Sequence, residues 1–170
     1  IMSIGRTFEE ALGKALRSLE NGRFGLGADG KGLEGQATDD ELADLVRRPT
    51  ADRVFYLAEA LRRGWSVGEV SEASRIDSFL VARMADIVRV QENLRGMALD
   101  ALDADAFLLL KRYGLSDVQI AELTGSDELT VRTCRKLLHV VPAFKTVDTC
   151  AAEFPSKTAY HYKTYDACET

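Results

Sequence analysis

The chain has 170 residues, of which 46% are apolar and 29% are charged, and its formal net charge at pH 7 is −5. This apolar content is enough to bury a core and is too high for an intrinsically disordered chain. The acidic balance argues against a protein that binds nucleic acids or anionic membranes through charge alone, because such binding needs an excess of basic residues. Since the apolar runs are only a few residues long, no membrane-spanning helix is predicted.

The three cysteines, Cys134, Cys150 and Cys168, are odd in number and widely spaced. This pattern favours a reducing, cytoplasmic location over a disulfide-bonded secreted domain. Cys150 has no histidine close to it in sequence that could act as a base. We therefore interpret it as a buried structural thiol rather than a nucleophile.

Helix-start motifs recur along the chain. Thr7 with Glu10, and Thr38 with Glu41, have the spacing of capping boxes, in which each side chain accepts a hydrogen bond from the backbone amide of the other residue. Further N-caps are predicted at Thr50, Ser66, Asp77, Asp103, Ser116 and either Ser126 or Asp127.

Helical periodicity covers most of the chain but not its last part. Apolar residues recur at helical spacing over 8–20 and again over 39–48, where Pro49 ends the pattern. The 3.6-residue period is absent from 143–170, which is rich in Thr, Tyr and Ala. This last segment is predicted to be an extended arm.

Two stretches of the chain repeat each other at an offset of 50 residues. The identical pairs are Arg62/Arg112, Gly64/Gly114, Ser66/Ser116, Glu72/Glu122, Asp77/Asp127 and Val81/Val131. The same caps and stops recur in the same order, which indicates two copies of a helical unit around one core. The predicted fold class is all-α: a compact multi-helix domain built from two helical repeats, with a flanking N-terminal helix and an extended C-terminal arm.

Six glycines lie between Gly22 and Gly35. This density predicts a flexible surface linker over 21–37. A phosphate-binding loop is the alternative, but no strand precedes the segment and it lacks the Gly-Lys-Ser/Thr ending.

Residues 117–136 resemble a DNA-binding helix-turn-helix, with Gly125 at the turn and Val131 positioned to pack the second helix. The second helix would begin with Asp127 and Glu128, which would repel the phosphate backbone. A structural helical corner is the favoured interpretation, and a DNA-binding regulator is the alternative.

No catalytic, cofactor-binding or metal-binding set is predicted. The acidic residues at 39–41 and at 100, 103 and 105 fall at predicted helix starts, where the helix dipole favours negative charge. We interpret them as caps. Composition and spacing alone therefore indicate a helical interaction module.

The chain also resembles a known family, in segments spread over essentially its whole length. The matching segments are 2–12 and 14–20 near the start, 52–56, 62–64, 109–114 and 119–121 in the middle, and 147–154, 158–160 and 164–165 near the end. They are similar to the carbamoyl-phosphate synthase large chain, where its first ATP-grasp half ends, the helical oligomerisation domain follows, and the second half begins.

The resemblance implies a fragment with four parts. Residues 1–20 would end the first ATP-grasp half, 21–37 would be the Gly-rich linker, 38–142 the oligomerisation domain, and 143–170 the arm entering the second half. Residues expected to dock against the flanking halves are Phe8, Leu12, Asp148, Cys150, Glu153, Phe154, Tyr160 and Tyr162.

The resemblance also implies the activity of the whole enzyme, which makes carbamoyl phosphate from bicarbonate, ammonia and two ATP for arginine and pyrimidine biosynthesis. A glutaminase small subunit would supply the ammonia, and the whole enzyme would require ATP, Mg²⁺ or Mn²⁺, and K⁺. The fragment itself would be non-catalytic and would bind neither nucleic acid nor membrane.

Self-association is expected of such a domain, and the helix over 39–48 is the candidate contact. Its apolar stripe of Leu42, Leu45 and Val46 either faces outward, where it could meet the same stripe of a second copy, or covers the core of its own chain. The sequence leaves both alternatives open.

Overall fold

The computed structural model describes residues 1–32, 37–151, 153–155 and 157–166. Within them the chain forms eight α-helices, a short 3₁₀ turn over Leu99–Ala101 and one pair of strands. The helices are α1 Phe8–Arg17, α2 Asp39–Arg47, α3 Arg53–Arg62, α4 Val67–Ser74, α5 Ser78–Leu94, α6 Ala104–Arg112, α7 Asp117–Thr124 and α8 Glu128–Leu137. The strands are β1 Ala143–Thr146 and β2 His161–Thr164. The predicted all-α class is confirmed.

Most helix starts follow from the caps in the sequence. Thr38, Ser66 and Ser116 each form a complete capping box with the residue three positions later. Thr7 accepts the predicted bond from the Glu10 amide, but the Glu10 carboxylate accepts from the Arg6 amide instead. Each cap satisfies backbone donors that the first helical turn leaves without a partner.

The predicted cap at Thr50 is wrong. Helix α3 begins at Arg53, and Asp52 precedes it without a side-chain capping bond. The Thr50 carbonyl instead accepts the amide of Arg53 in a turn that leads into the helix.

The predicted repeat is confirmed by the helices themselves. Helices α3, α4 and α5 correspond to α6, α7 and α8 at the offset of 50, although α5 has 17 residues and α8 only 10. Gly64 and Gly114 end the first helix of each unit with φ values of +91° and +79°. This left-handed conformation favours glycine, which explains why both repeats carry one.

One core lies between the two units. Equivalent apolar residues of both units, Val70 with Ile120 and Val81 with Val131, are fully buried in it. Helix α5 packs against α3, α4, α7 and α1, which makes it the central helix. The shared core explains why the caps and stops recur in the sequence.

The prediction of a flexible surface linker is wrong for the described part of the Gly-rich segment. Leu26 is only 2% exposed. The side-chain amides of Gln91 and Gln119 donate to the carbonyls of Leu26 and Gly27, at 3.0 and 2.7 Å. A Cβ at Gly25 would collide with the Gln119 side chain, so glycine here permits close packing of the backbone on the helices. Residues 33–36 of the predicted linker lie outside the described residues.

Helix α2 belongs to the core of its own chain. Leu42 and Val46 are both 0% exposed, and Leu45 is half-buried. Contacts with α3 and α4 cover the stripe, because those helices pack directly on α2. The outward-facing alternative is therefore wrong for Leu42 and Val46.

Candidate interdomain junction

The first and last described segments of the chain meet on helix α1, at a group of contacts centred on Glu10 and Lys14 that we term the clasp. Glu10 is 5% exposed. Its carboxylate accepts hydrogen bonds from the Thr164 hydroxyl at 2.9 Å and from the Arg6 amide at 3.0 Å, and pairs with Lys14 at 2.9 Å. The clasp thus joins the segment before α1 to strand β2.

Lys14 makes the same connection from the other side. Its ammonium donates to the carbonyl of Ile4 at 2.7 Å and to the carbonyl of Lys163. It also lies 5.7 Å from the centre of the Tyr162 ring. One side chain therefore binds the backbone on both sides of the junction.

Asp166 extends the clasp towards α6. Its carboxylate pairs with Arg6 and with Arg112, each at 3.4 Å. Its amide donates to the hydroxyl of Thr164, which is fully buried. The end of β2 is thereby linked both to the N-terminal segment and to the second repeat.

Strands β1 and β2 form an antiparallel pair in which Ala143 faces Thr164 and Thr146 faces His161. The pairing continues beyond the strands, where the Val147 amide donates to the Tyr160 carbonyl at 2.9 Å. The predicted extended arm is confirmed over the described residues. It is anchored to the domain by the clasp rather than projecting freely from it.

Helix α1 fits closely against the second repeat. A Cβ at Gly13 would lie 2.7 Å from the Gly114 carbonyl oxygen, and one at Gly114 would lie 2.5 Å from that of Glu9. The Arg17 guanidinium donates to the Gly114 carbonyl at 3.0 Å. Two glycines thus allow α1 to pack directly on the α6–α7 turn.

A buried ion cluster lies beneath this contact. Asp117 accepts two hydrogen bonds from the Arg135 guanidinium, at 3.2 and 3.0 Å, and also pairs with the Lys111 ammonium. Burial alone would raise the pKa of Asp117, but the Arg135 hydrogen bonds and the Lys111 charge outweigh it and lower the pKa. Burial lowers the pKa of Lys111 to about 8, although the Asp117 charge opposes the shift. The cluster fixes the start of α7 against α6 and α8.

The residues predicted to dock against flanking halves fall into two groups. Phe8 and Leu12 pack partly against the core of this chain, and Tyr162 lies under Lys14. Phe154 and Tyr160 are 69% and 70% exposed. Of the other predicted docking residues, Asp148 and Glu153 are exposed and Cys150 is half-buried.

Most of the polar contacts of the clasp cannot be recognised from the sequence. The sequence indicates Glu10 as a helix cap, but it gives no sign of a contact for Lys14 or Thr164. The two ends of the Glu10–Thr164 bond are 154 residues apart. No local pattern pairs such distant positions, so these contacts depend on the tertiary fold.

Two arginines of the corner between α7 and α8 pair with carboxylates of the same chain. Arg135 binds Asp117, and Arg132 pairs with Glu128. Asp127 caps α8 by accepting the Thr130 amide at 3.0 Å. A structural role accounts for the residues of this motif without DNA.

None of the helices in the described residues combines the length and the apolar character needed to cross a membrane. Across 1–32, 37–151, 153–155 and 157–166, no three His, Cys, Asp or Glu side chains are grouped so that they could hold a metal ion.

The fold and the clasp define a class of protein: a helical repeat domain that brings the two ends of its described chain together on one helix. The model of a family described as the carbamoyl-phosphate synthetase large chain, oligomerisation domain, matches residues 1–139. The chain belongs to this family, and the predicted resemblance is confirmed.

Curated relatives agree with this assignment. The chain is 44% identical over 173 residues to the carbamoyl phosphate synthase large chain of Xanthomonas campestris pathovar campestris, a match that covers 99% of this chain. It is 42% identical over 170 residues to the large chain of Archaeoglobus fulgidus, covering 98% of this chain, and 42% identical over 174 residues to that of Pseudomonas aeruginosa, covering 99%. The chain spans 16% of the length of each of these relatives. These matches give no support to the helix-turn-helix DNA-binding alternative.

Proposed function

We propose that this chain is the non-catalytic joint of a carbamoyl-phosphate synthase large chain, holding two ATP-grasp halves in register. The observation that carries the proposal is the clasp, in which Glu10 and Lys14 bind both the segment before α1 and strand β2. A rigid helical core with its two ends joined would fix the positions of whatever domains continue from them.

The chemistry of the whole enzyme belongs to other parts of the large chain. The enzyme would be a ligase of the cytoplasm that makes carbamoyl phosphate from bicarbonate, glutamine-derived ammonia and two ATP for arginine and pyrimidine biosynthesis, with a glutaminase small subunit as partner. In the part of the chain that the structure describes, no three His, Cys, Asp or Glu side chains are grouped so that they would hold Mg²⁺ or Mn²⁺. We therefore assign no chemical step to this chain.

Docking of the flanking halves would use the surface around the arm. Phe154 and Tyr160 leave large apolar surfaces exposed there, and such surfaces on a folded domain mark contact sites. Phe8, Leu12 and Tyr162 would support this surface from within, while Asp148, Cys150 and Glu153 shape the turn between the strands.

Self-association into a homo-oligomer is the second part of the proposal, and the description of the family as an oligomerisation domain supports it. With Leu42 and Val46 buried, α2 could contribute Leu45 to such a contact.

The joint is tested in the full-length large chain that contains this segment. Lys14→Met removes the Lys14 bonds to the carbonyls of Ile4 and Lys163, and Arg47→Met on the exposed surface of α2 is the matched control. The proposal expects the Lys14 variant to consume more ATP per carbamoyl phosphate formed, because the two halves lose their register. An unchanged ratio of ATP consumed to product formed would contradict the proposal.

A further inference from the structure

A cleft of about 510 Å³ opens where α1, the α6–α7 turn, α8 and β2 meet. Phe24, Val141 and Pro142 are among its apolar lining residues, and most of the remaining lining is charged. The floor carries the buried Lys111 and the half-buried Arg17. The cleft is concave and has the size of a small-molecule site.

The charge of the cleft is opposite to that of the chain. Seven basic side chains and three carboxylates line it, a surplus of four positive charges in a chain whose net charge is −5. Concentrating positive charge in a concave site attracts anions because the low-dielectric walls focus the field.

The three carboxylates are already engaged by basic neighbours. Asp117 pairs with Lys111 and Arg135. Glu10 pairs with Lys14, and Glu128 with Arg132. These three carboxylates therefore neutralise only part of the positive charge in the cleft.

Three cations of the cleft have no carboxylate within ion-pair distance among the residues that the structure describes: Arg17, Lys136 and Lys163. Arg17 is the most demanding of them. Its guanidinium donates to the Gly114 carbonyl, a neutral acceptor, and burial lowers its pKa. A desolvated cation without a counter-ion is stabilised by an anion placed against it.

We propose that this cleft binds a small phosphate-bearing anion. A phosphate group carries a charge of about −1.5 to −2 at neutral pH and accepts hydrogen bonds from several directions, which suits a guanidinium and two ammonium groups on three different elements. The apolar lining residues Phe24 and Val141 would contact an uncharged part of the ligand. Because α1 and β2 both line the cleft, the bound anion would also bridge that helix and that strand.

The probe is pyrophosphate, titrated calorimetrically into the 170-residue chain at constant ionic strength. The proposal expects saturable binding that is weakened about tenfold by Arg17→Gln and measurably by Lys136→Gln, since each removes a charged donor. Arg47→Gln on the exposed surface of α2 is the matched control and leaves binding unchanged. Lys136 is exposed, so its variant tests the cleft even where Arg17→Gln perturbs the fold.

Two results would overturn the proposal. One is the absence of saturable pyrophosphate binding, which would leave the cleft as a docking face for an acidic protein surface. The other is equal weakening by Arg47→Gln and by the cleft variants, which would show attraction by overall charge and not a site. The proposed joint does not depend on either result, because the clasp forms without a ligand.

Discussion

Glu10 and Thr164 lie 154 residues apart in the chain and share a buried hydrogen bond of 2.9 Å. The bond places the start of the first helix against the end of the last strand. Lys14 reinforces it by donating to the backbone carbonyls of Ile4 and Lys163. A buried hydrogen bond to a charged group contributes more than one between neutral groups, so this contact is a strong restraint on both segments.

The members of the buried ion cluster differ in how much stability their substitution should cost. Asp117→Asn leaves Lys111 and Arg135 buried without their counter-ion, and we expect a loss of about 3–5 kcal/mol in the free energy of unfolding. Lys111→Met is expected to cost less than half as much, because Asp117 retains both hydrogen bonds from Arg135. Urea denaturation of both variants measures the difference. Equal losses would contradict this account of the cluster.

Lys111 also predicts how stability depends on pH. Its pKa is lowered from 10.5 to about 8 by burial in the native state. Between these two pH values the unfolded chain binds the proton that the native chain has released, so this lysine makes the free energy of unfolding rise with pH. Urea denaturation from pH 7.5 to 10.5 should show the wild type gaining stability relative to Lys111→Met. Parallel pH profiles of the two proteins would show that Lys111 titrates normally.

The Gly-rich segment is expected to stabilise the domain. Leu26→Ala removes a side chain that is 2% exposed, and such substitutions cost about 2–5 kcal/mol. The matched control is Leu129→Ala, since Leu129 is 70% exposed and its truncation should change stability by about 0.5 kcal/mol or less. Thermal melts of the two variants compare them directly. A flexible linker would give two small effects of similar size.

Two substitutions in helix α2 distinguish its role in the core of the chain from a role in self-association. Leu42→Asp places a charge in the core and should melt early with loss of helical circular dichroism. Leu45 is half-exposed, so the Leu45→Asp protein should keep most of its helical structure. Sedimentation then shows whether Leu45→Asp yields a smaller species than the wild type. A folded Leu42→Asp protein would contradict the burial of this helix.

Local features of the fold could be predicted because both partners lie close in sequence. The Ser66–Glu69 and Ser116–Gln119 boxes join residues three apart, and each can be recognised from two letters. The repeat was visible because two copies of one helical unit need the same glycine stops. The family could be recognised from short segments spread along the chain.

The contacts of the junction could not be predicted in the same way. Gln91 binds the Leu26 carbonyl from 65 residues away, and Arg135 binds Asp117 from 18 residues away. Such pairs form only when the core has brought two elements together, and no spacing rule connects them. A glycine in the sequence also has two interpretations. The missing side chain that suggests flexibility at Gly25 also lets its backbone pack against Gln119.

The central claim is that the clasp holds two distant segments as one unit, and hydrogen exchange tests it most directly. We compare the wild-type chain, Lys14→Met and the surface control Arg47→Met, following amides of the N-terminal segment and of β2. The account predicts that both segments are protected in the wild type and in the control. In Lys14→Met both should exchange faster together, by about tenfold for a loss of about 1.4 kcal/mol, while α3–α5 stay unchanged. Faster exchange in one segment alone, or no protection of either in the wild type, would contradict it.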